Sequence, residues 1–323
     1  MKLAFCFMSY GDVDHADIWL RYFQDAPVDQ YTILIHTVND ISESVLPNCK
    51  RIPTQPTKWG EFSLVEAQQS LFHEACKDPA VSKCILVSGD SLPLYSFAHL
   101  YRILTSEDKG YMFYYFKLPL LLKDRVGFLR KKNVHLNFWP QNRTLKFSLT
   151  YQWCIMTRFH VQKLQDEFDM LRNVFTGSYI PDEHVYSVYF ESIGLLNTFH
   201  LQMVNWIRWD GQMKQCSIEH RRRPVTFHTE DFTEKFLKDV YSSNSFFIRK
   251  ICKTAVPLID WSGEKLLLPT VASDPVTEDS PKLEPHQIQN QSQSQSQPQP
   301  QPQPKRPNRL LQQRFNKYFK NRN

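Results

Sequence analysis

Apolar positions along the chain follow two rhythms. KLAFCFMSYG (residues 2–11) is an unbroken apolar run closed by a glycine, the pattern of a strand buried on both faces and ended by a turn. DHADIWLRYFQD (14–25) then changes to helical spacing, with Ile18, Tyr22 and Phe23 on one face. YTILIHTV (31–38) predicts a second strand. GEFSLVEAQQSLFHEACKD (60–78) predicts a helix whose apolar face carries Leu64, Ala67, Leu71 and Ala75, and SKCILVSGDSLPLYS (82–96) a third strand ending at Ser88-Gly89-Asp90. Strands and helices alternate, and the strands do not alternate polar with apolar. That predicts a mostly parallel α/β sheet flanked by helices. Ligands of such sheets bind at the carboxyl ends of the strands, which here carry Ser9-Tyr10-Gly11, His36-Thr37 and Gly89-Asp90. Asp90 itself reads as a turn acid.

Residues 110–150 are rich in aromatic and basic side chains without a clear period and predict a long loop or insertion. YQWCIMTRFHVQKLQDEF (151–168) predicts a strand running into a helix, and FHLQMVNWIRWDG (199–211) a strand-like run ending in a turn. TEDFTEKFLKDVYSSNSFFIRKI (229–251) predicts closing helices. Between them lies SYIPDEHVYSVYF (178–190), where two acids and a histidine precede an apolar run. As local structure this is a helix start: Asp182 can cap, Glu183 suits the positive end of the helix dipole, and Val185, Val188 and Tyr189 face a core.

Composition divides the chain. The body, 1–268, predicts a single domain; 269–304 is a low-complexity Gln/Ser/Pro linker unable to build a core; 305–323 is a basic tail. Seven of the lysines and arginines fall in that tail, which has no acid, so removing them from the net +6 leaves the rest of the chain at −1. A basic body built to wrap nucleic acid is therefore disfavoured. In the tail, Leu310, Leu311, Phe315, Tyr318 and Phe319 recur at about helical spacing among cations. It is either a peripheral contact to an anionic membrane or a partner protein, or a solvated tail that never orders. Seven widely spaced cysteines without a C-x-x-C fit free thiols in a reducing compartment better than a disulfide framework or zinc site. The N-terminus lacks the long apolar core of a signal peptide, and no segment has the roughly 18 apolar residues of a membrane span.

Six stretches together resemble one family, the core-2/I-branching glycosyltransferases (glycosyltransferase family 14), closest to its plant-type branch. TKWGEFSLVEAQQSLFHEACKDP is similar to the family's W-G-x-x-S-M-V-E-A helix, and CILVSGDSLPLYSF to its strand and P-L-Y-x-F turn. YQWCIMTRFHV resembles its Q-W-x-x-L-x-R-x-H segment and PDEH its P-D-E-H/Y motif. VNWIRWDG followed by HRRRPVTFHTEDF, and SFFIRKI, resemble its closing motifs. The likeness runs in order over residues 3–251. It implies a GT-A-type fold and inverting transfer of a sugar, N-acetylglucosamine or xylose within the family, from a UDP-sugar to a hydroxyl of a glycan or glycoprotein. It also implies no metal, because basic side chains serve the diphosphate, and no cofactor beyond the sugar-nucleotide co-substrate.

Inverting transfer needs a base for the acceptor hydroxyl and positive charge for the leaving diphosphate. The resemblance gives Glu183 the catalytic-base position, with Asp182 and His184 as positioning groups and Asp182 on the acceptor side. Arg222 matches one diphosphate-binding position, with Arg221 or Arg223 as the register alternatives; Lys250 matches the other, with Arg249 beside it. Either Trp206 or Trp209 stacks on the acceptor sugar, against a core role for each. Ser9, Gly11, His36, Trp59 and Ser63 fall where the fold faces the donor nucleotide. The acid that contacts uridine in the animal enzymes is missing, with Thr37 and Val38 in its place. The family's usual Golgi membrane anchor is not seen, which predicts a soluble, cytoplasmic enzyme or one held at a membrane by its tail. Two rival readings stand beside this one. One is a metal-dependent GT-A transferase using Asp12 and Asp14. The other is a non-catalytic binding module on the same fold.

Overall fold

The computed structural model describes residues 1–39, 46, 48–116, 134–209 and 224–270. Arg221, Arg222 and Arg223, the linker beyond residue 270 and the basic tail lie outside the described residues.

The strands in chain order are β1 (Lys2–Ser9), β2 (Tyr31–Thr37), β3 (Cys49–Arg51), β4 (Val81–Ser88), β5 (Leu92–Pro93), β6 (Gly110–Tyr111), β7 (Tyr114–Phe116), β8 (Ser148–Thr150), β9 (Ile155–Thr157), β10 (Phe199–His200), β11 (Asn205–Ile207), β12 (Phe247–Arg249), β13 (Leu258–Ile259) and β14 (Leu267–Leu268). The α-helices are α1 (Ala16–Gln24), α2 (Ser63–Cys76), α3 (Phe97–Thr105), α4 (Arg158–Asp166), α5 (Phe168–Phe175), α6 (Val185–Ser192) and α7 (Glu234–Tyr241). Seven strands form the main sheet in the order β10-β6-β9-β4-β1-β2-β3. β3, β2, β1 and β4 are parallel, β9 is antiparallel to both β4 and β6, and β10 is parallel to β6. This is the mixed α/β architecture, mostly parallel with helices on its faces, that the apolar runs predict.

Side chains alternate across β1 and sort the packing. Phe5 and Phe7 meet Trp19 of α1 at 6.5 and 4.9 Å between ring centres, and Phe5 also meets Phe97 of α3. Trp19, Phe5, Phe7 and Phe72 are fully buried, and side chains of this size contribute about 1.5–3 kcal/mol each through burial. From α2, the Cys76 thiol lies 3.8 Å from Cys84 of β4. Cys6, Cys84 and Cys154 are buried free thiols, as their apolar surroundings predict.

A smaller sheet, β11-β12-β5, has its own apolar cluster built from Leu92, Phe227, Phe232, Phe236 and Ile248. Here the expectation of closing helices is only half met. Glu234–Tyr241 is helical, with Thr233 accepting the Phe236 N–H as its cap, but Phe247–Arg249 is a strand. Asn244 takes a left-handed conformation, φ 57°, that ends the helical region. Phe247 and Ile248 then pair with Asn205 and Trp206 on one side and with Pro93 and Leu92 on the other. Pairing on both sides outweighs whatever helical tendency the segment has. Residues 110–150 contain short strands, β6 to β8, and a 3₁₀ turn at Leu136–Phe138; 117–133 are outside the described residues.

Candidate active site

The carboxyl ends of β1, β2 and β4 meet through backbone bonds. The Gly89 N–H donates to Met8 O at 2.9 Å, Asp14 N–H to Gly89 O at 2.9 Å, and Val38 N–H to Ser9 O at 3.1 Å. Gly89 is required here: a Cβ on it would lie 2.6 Å from Ser9 Cβ, inside contact distance. Ser9 donates its hydroxyl to Asp12 O at 3.0 Å, and Asp12 accepts the Val13 N–H at 2.8 Å. The Asp14 carboxylate is 3.0 Å from Lys253 Nζ. The Asp12–Asp14 turn is thus closed on local donors and a lysine, and Gly11 leads into it.

The chain leaves β4 through Gly89-Asp90 and enters β5, which pairs with β12. That pairing delivers the end of β12 beside Asp90, and Ile251 N–H donates to Asp90 O at 3.0 Å. Arg249 gives Asp90 two contacts, 3.0 Å from Nε to Oδ1 and 3.2 Å from Nη2 to Oδ2, and Lys250 Nζ is 3.4 Å from Oδ2. Ser88 Oγ donates to Oδ1 at 2.5 Å. Burial would push the Asp90 carboxyl up; the charge of Arg249, its hydrogen bonds and those of Ser88, and the charge of Lys250 together hold it below the usual carboxylate range. The Arg249 guanidinium also lies over the Trp153 ring, 4.7 Å from its centre. Sequence reasoning anticipates the two cations but not Asp90 as their partner or Trp153 as their platform. The only available signal is an acid at a strand's carboxyl end.

A second group forms around the Pro181–Glu183 turn. Gly60, at φ 77°, accepts the Ile180 N–H at 3.0 Å, so the loop ahead of α2 is tied to the chain just before the turn. Trp59, 61% exposed, stands edge-on to Tyr179 at 6.2 Å, and Ser63 accepts the Lys58 N–H at 3.0 Å. The expected helix start is corrected here. Pro181–Glu183 is a single 3₁₀ turn, α6 begins at Val185, and Asp182 does not cap it: His184 takes the cap position, and no side chain caps the helix. Ile180 is left-handed at φ 48°, and the Asp182 side chain is turned inward, 7% exposed, with Oδ1 lacking a hydrogen-bond partner among the described residues. Burial first, and the neighbouring Glu183 charge second, push its carboxyl up to about 7. Glu183 is half-buried, more open than its neighbour. His184 is buried, with Nδ1 donating to Ser148 O at 3.2 Å and its ring on Phe147 at 4.4 Å.

The segment 148–153 joins the two groups, with Ser148 bonded to His184 at one end and Trp153 beneath Arg249 at the other. Five extended residues span at most about 18 Å, so the points at which the two groups touch this segment, Ser148 and Trp153, lie within that distance of each other. His36 is buried, and its Nε2 accepts the Gln55 N–H at 3.0 Å; burial lowers its pKa, so the ring is neutral and holds the 53–58 loop. Trp206 lies in the smaller core, 5.5 Å from Phe227 and 5.3 Å from Phe236. Trp209 bridges Pro224 and stacks near Tyr151 at 6.5 Å. Both tryptophans are partly buried, Trp206 packed against the smaller core.

A family model for the Core-2/I-Branching enzyme matches residues 3–241. Glu183, Trp59 and Trp206 lie within that span, whereas Arg249 and Lys250 lie beyond it. A protein named Glycosyltransferase BC10, from Oryza sativa subsp. japonica, is 19% identical over 278 residues, covering 76% of this chain and 67% of that one.

Proposed function

We propose that this chain, which belongs to the Core-2/I-Branching enzyme family and is a glycosyltransferase, moves N-acetylglucosamine or xylose from a UDP-sugar to a hydroxyl of a glycan or glycoprotein. Transfer is inverting and direct. Glu183 takes the acceptor hydroxyl's proton as the oxygen attacks the anomeric carbon, and the bond to the diphosphate breaks on the opposite face. Lys250, with Arg249 beside it on Asp90, meets the charge that develops on the diphosphate together with Arg222, which lies outside the described residues, so no metal is needed. Asp182 and either Trp206 or Trp209 serve the acceptor, and the strand-end residues Ser9 and Gly11, with Trp59 and Ser63, serve the nucleotide; His36 acts through the loop it holds.

The observation that carries this reading is the convergence of Arg249 and Lys250 on Asp90 at the carboxyl end of β4, a cluster that the segment 148–153 links to the residue following Glu183. Cations on one side and, on the other, two adjacent acids of which Asp182 has its carboxyl pushed up to about 7 suit departure of an anion and removal of a proton. Among the described residues no helix is long and apolar enough to cross a membrane. Peripheral attachment, if the basic tail provides it, is a property of residues outside the described ones.

The test is nucleotide release from a panel of UDP- and GDP-sugars in EDTA, comparing wild type with Glu183→Gln in the presence of candidate saccharide acceptors. Release by wild type that is lost in the variant is the expected result. Release that appears only when manganese is restored would replace this reading with the metal-dependent one through Asp12 and Asp14. Silence under both conditions would favour a binding module.

A further inference from the structure

Two cations share the Asp90 carboxylate, and they are held very differently. Arg249 makes a two-point contact, lies on the Trp153 ring and is 12% exposed. Two contacts and a ring face fix a planar guanidinium. Lys250 makes one long contact, at 3.4 Å, and is 39% exposed. An ammonium on a flexible stem gives up little when it leaves such a contact. Asp90 does not depend on Lys250 for its own satisfaction, because Ser88 and Arg249 already donate to both of its oxygens. The cluster therefore has a fixed half, Asp90 with Arg249, and an exchangeable half, Lys250.

We propose that Asp90 is the counter-ion of Lys250 in the empty site, and that the donor diphosphate takes its place on Lys250 while Asp90 stays on Arg249. This rests on Lys250 being a diphosphate-binding residue, as proposed above. Arg249 then acts by holding Asp90, and only Lys250 changes partner. Asp90 keeps the Lys250 ammonium near the site before the donor arrives. Its charge also repels the diphosphate, and after transfer it competes for Lys250 and speeds departure of the nucleoside diphosphate. Asp90 is a positioning residue whose effect on affinity is opposite in sign to that of a residue that merely supports the fold.

Calorimetric titration with UDP and with uridine tests this on wild type, Asp90→Asn, Lys250→Met and the double variant. Asp90→Asn should bind UDP roughly five- to tenfold more tightly, the size of a coupling between neighbouring charges, with uridine affinity unchanged. The gain should vanish when Lys250 is also replaced. An Asp90→Asn protein that binds UDP no more tightly than wild type, or a gain that survives Lys250→Met, overturns the proposal. A different result, UDP affinity unaffected by Lys250→Met alone, overturns the diphosphate role of Lys250 instead. Should Asp90→Asn fail to fold, a crystal structure of the wild type with UDP decides. Lys250 Nζ on a phosphate oxygen and beyond about 4 Å from Asp90, the limit of an ion pair, is expected with the Arg249 contact intact; a Lys250–Asp90 contact that persists beside bound UDP overturns it.

Discussion

Asp90 and Asp182 are both largely buried carboxyl groups, and their surroundings drive them apart. Asp90 has Arg249, Lys250 and the Ser88 hydroxyl within reach and is held below the usual carboxylate range. Asp182 has a negative neighbour in Glu183, an oxygen without a hydrogen-bond partner among the described residues, and a carboxyl pushed up to about 7. The same side chain is thus a stable anion in one place and a reluctant one in the other. The contrast divides the two groups by charge. The strand-end side can receive a departing anion, and the 3₁₀-turn side places acids where removing a proton is the useful act.

Breaking the acid side at Glu183 should have the largest effect. Glu183→Gln keeps the shape and removes the proposed base, so kcat for transfer should fall by about 10²- to 10⁴-fold, as read by nucleotide release. On the cationic side, Lys250→Met should lower kcat/KM for the donor by about a hundredfold, because charge aimed at the leaving group is lost. Asp182→Asn sharpens the contrast through stability. An acid whose folded pKa lies above its unfolded value, near 3.9, binds its proton more tightly when folded. Its contribution to stability is present below the unfolded pKa and is lost as pH rises toward about 7. The variant should match wild type near pH 4 and become more stable than it by about 4 kcal/mol at pH 8, measured by urea unfolding at both pH values. The smallest effect belongs to the rim. Lys253 is 80% exposed in its pair with Asp14, so Lys253→Ala should change unfolding free energy by less than about 1 kcal/mol.

The central strands were legible because burial on both faces leaves β1, β2 and β4 almost purely apolar, and α2 because its apolar face repeats at helical spacing. Phe247–Arg249 was not legible as a strand: three residues carry no period, and their pairing partners lie in β11 and β5, far away in sequence. Lys250 and Arg249 could be anticipated as cations, yet their partner Asp90 stands 159 residues away from Arg249, and only the β5–β12 pairing brings them together. Asp182 misled for the opposite reason. A proline followed by two acids matches a helix start locally, but the left-handed Ile180 turns the first carboxyl into the core.

The proposed division of labour between the two groups is tested most directly by titrating Glu183→Gln with UDP while measuring its transfer rate under the same conditions. UDP affinity equal to wild type with transfer lost is the predicted result, because the diphosphate sits with Lys250 and the proton with Glu183. Transfer that survives in the variant, or UDP affinity that falls together with the rate, would contradict it.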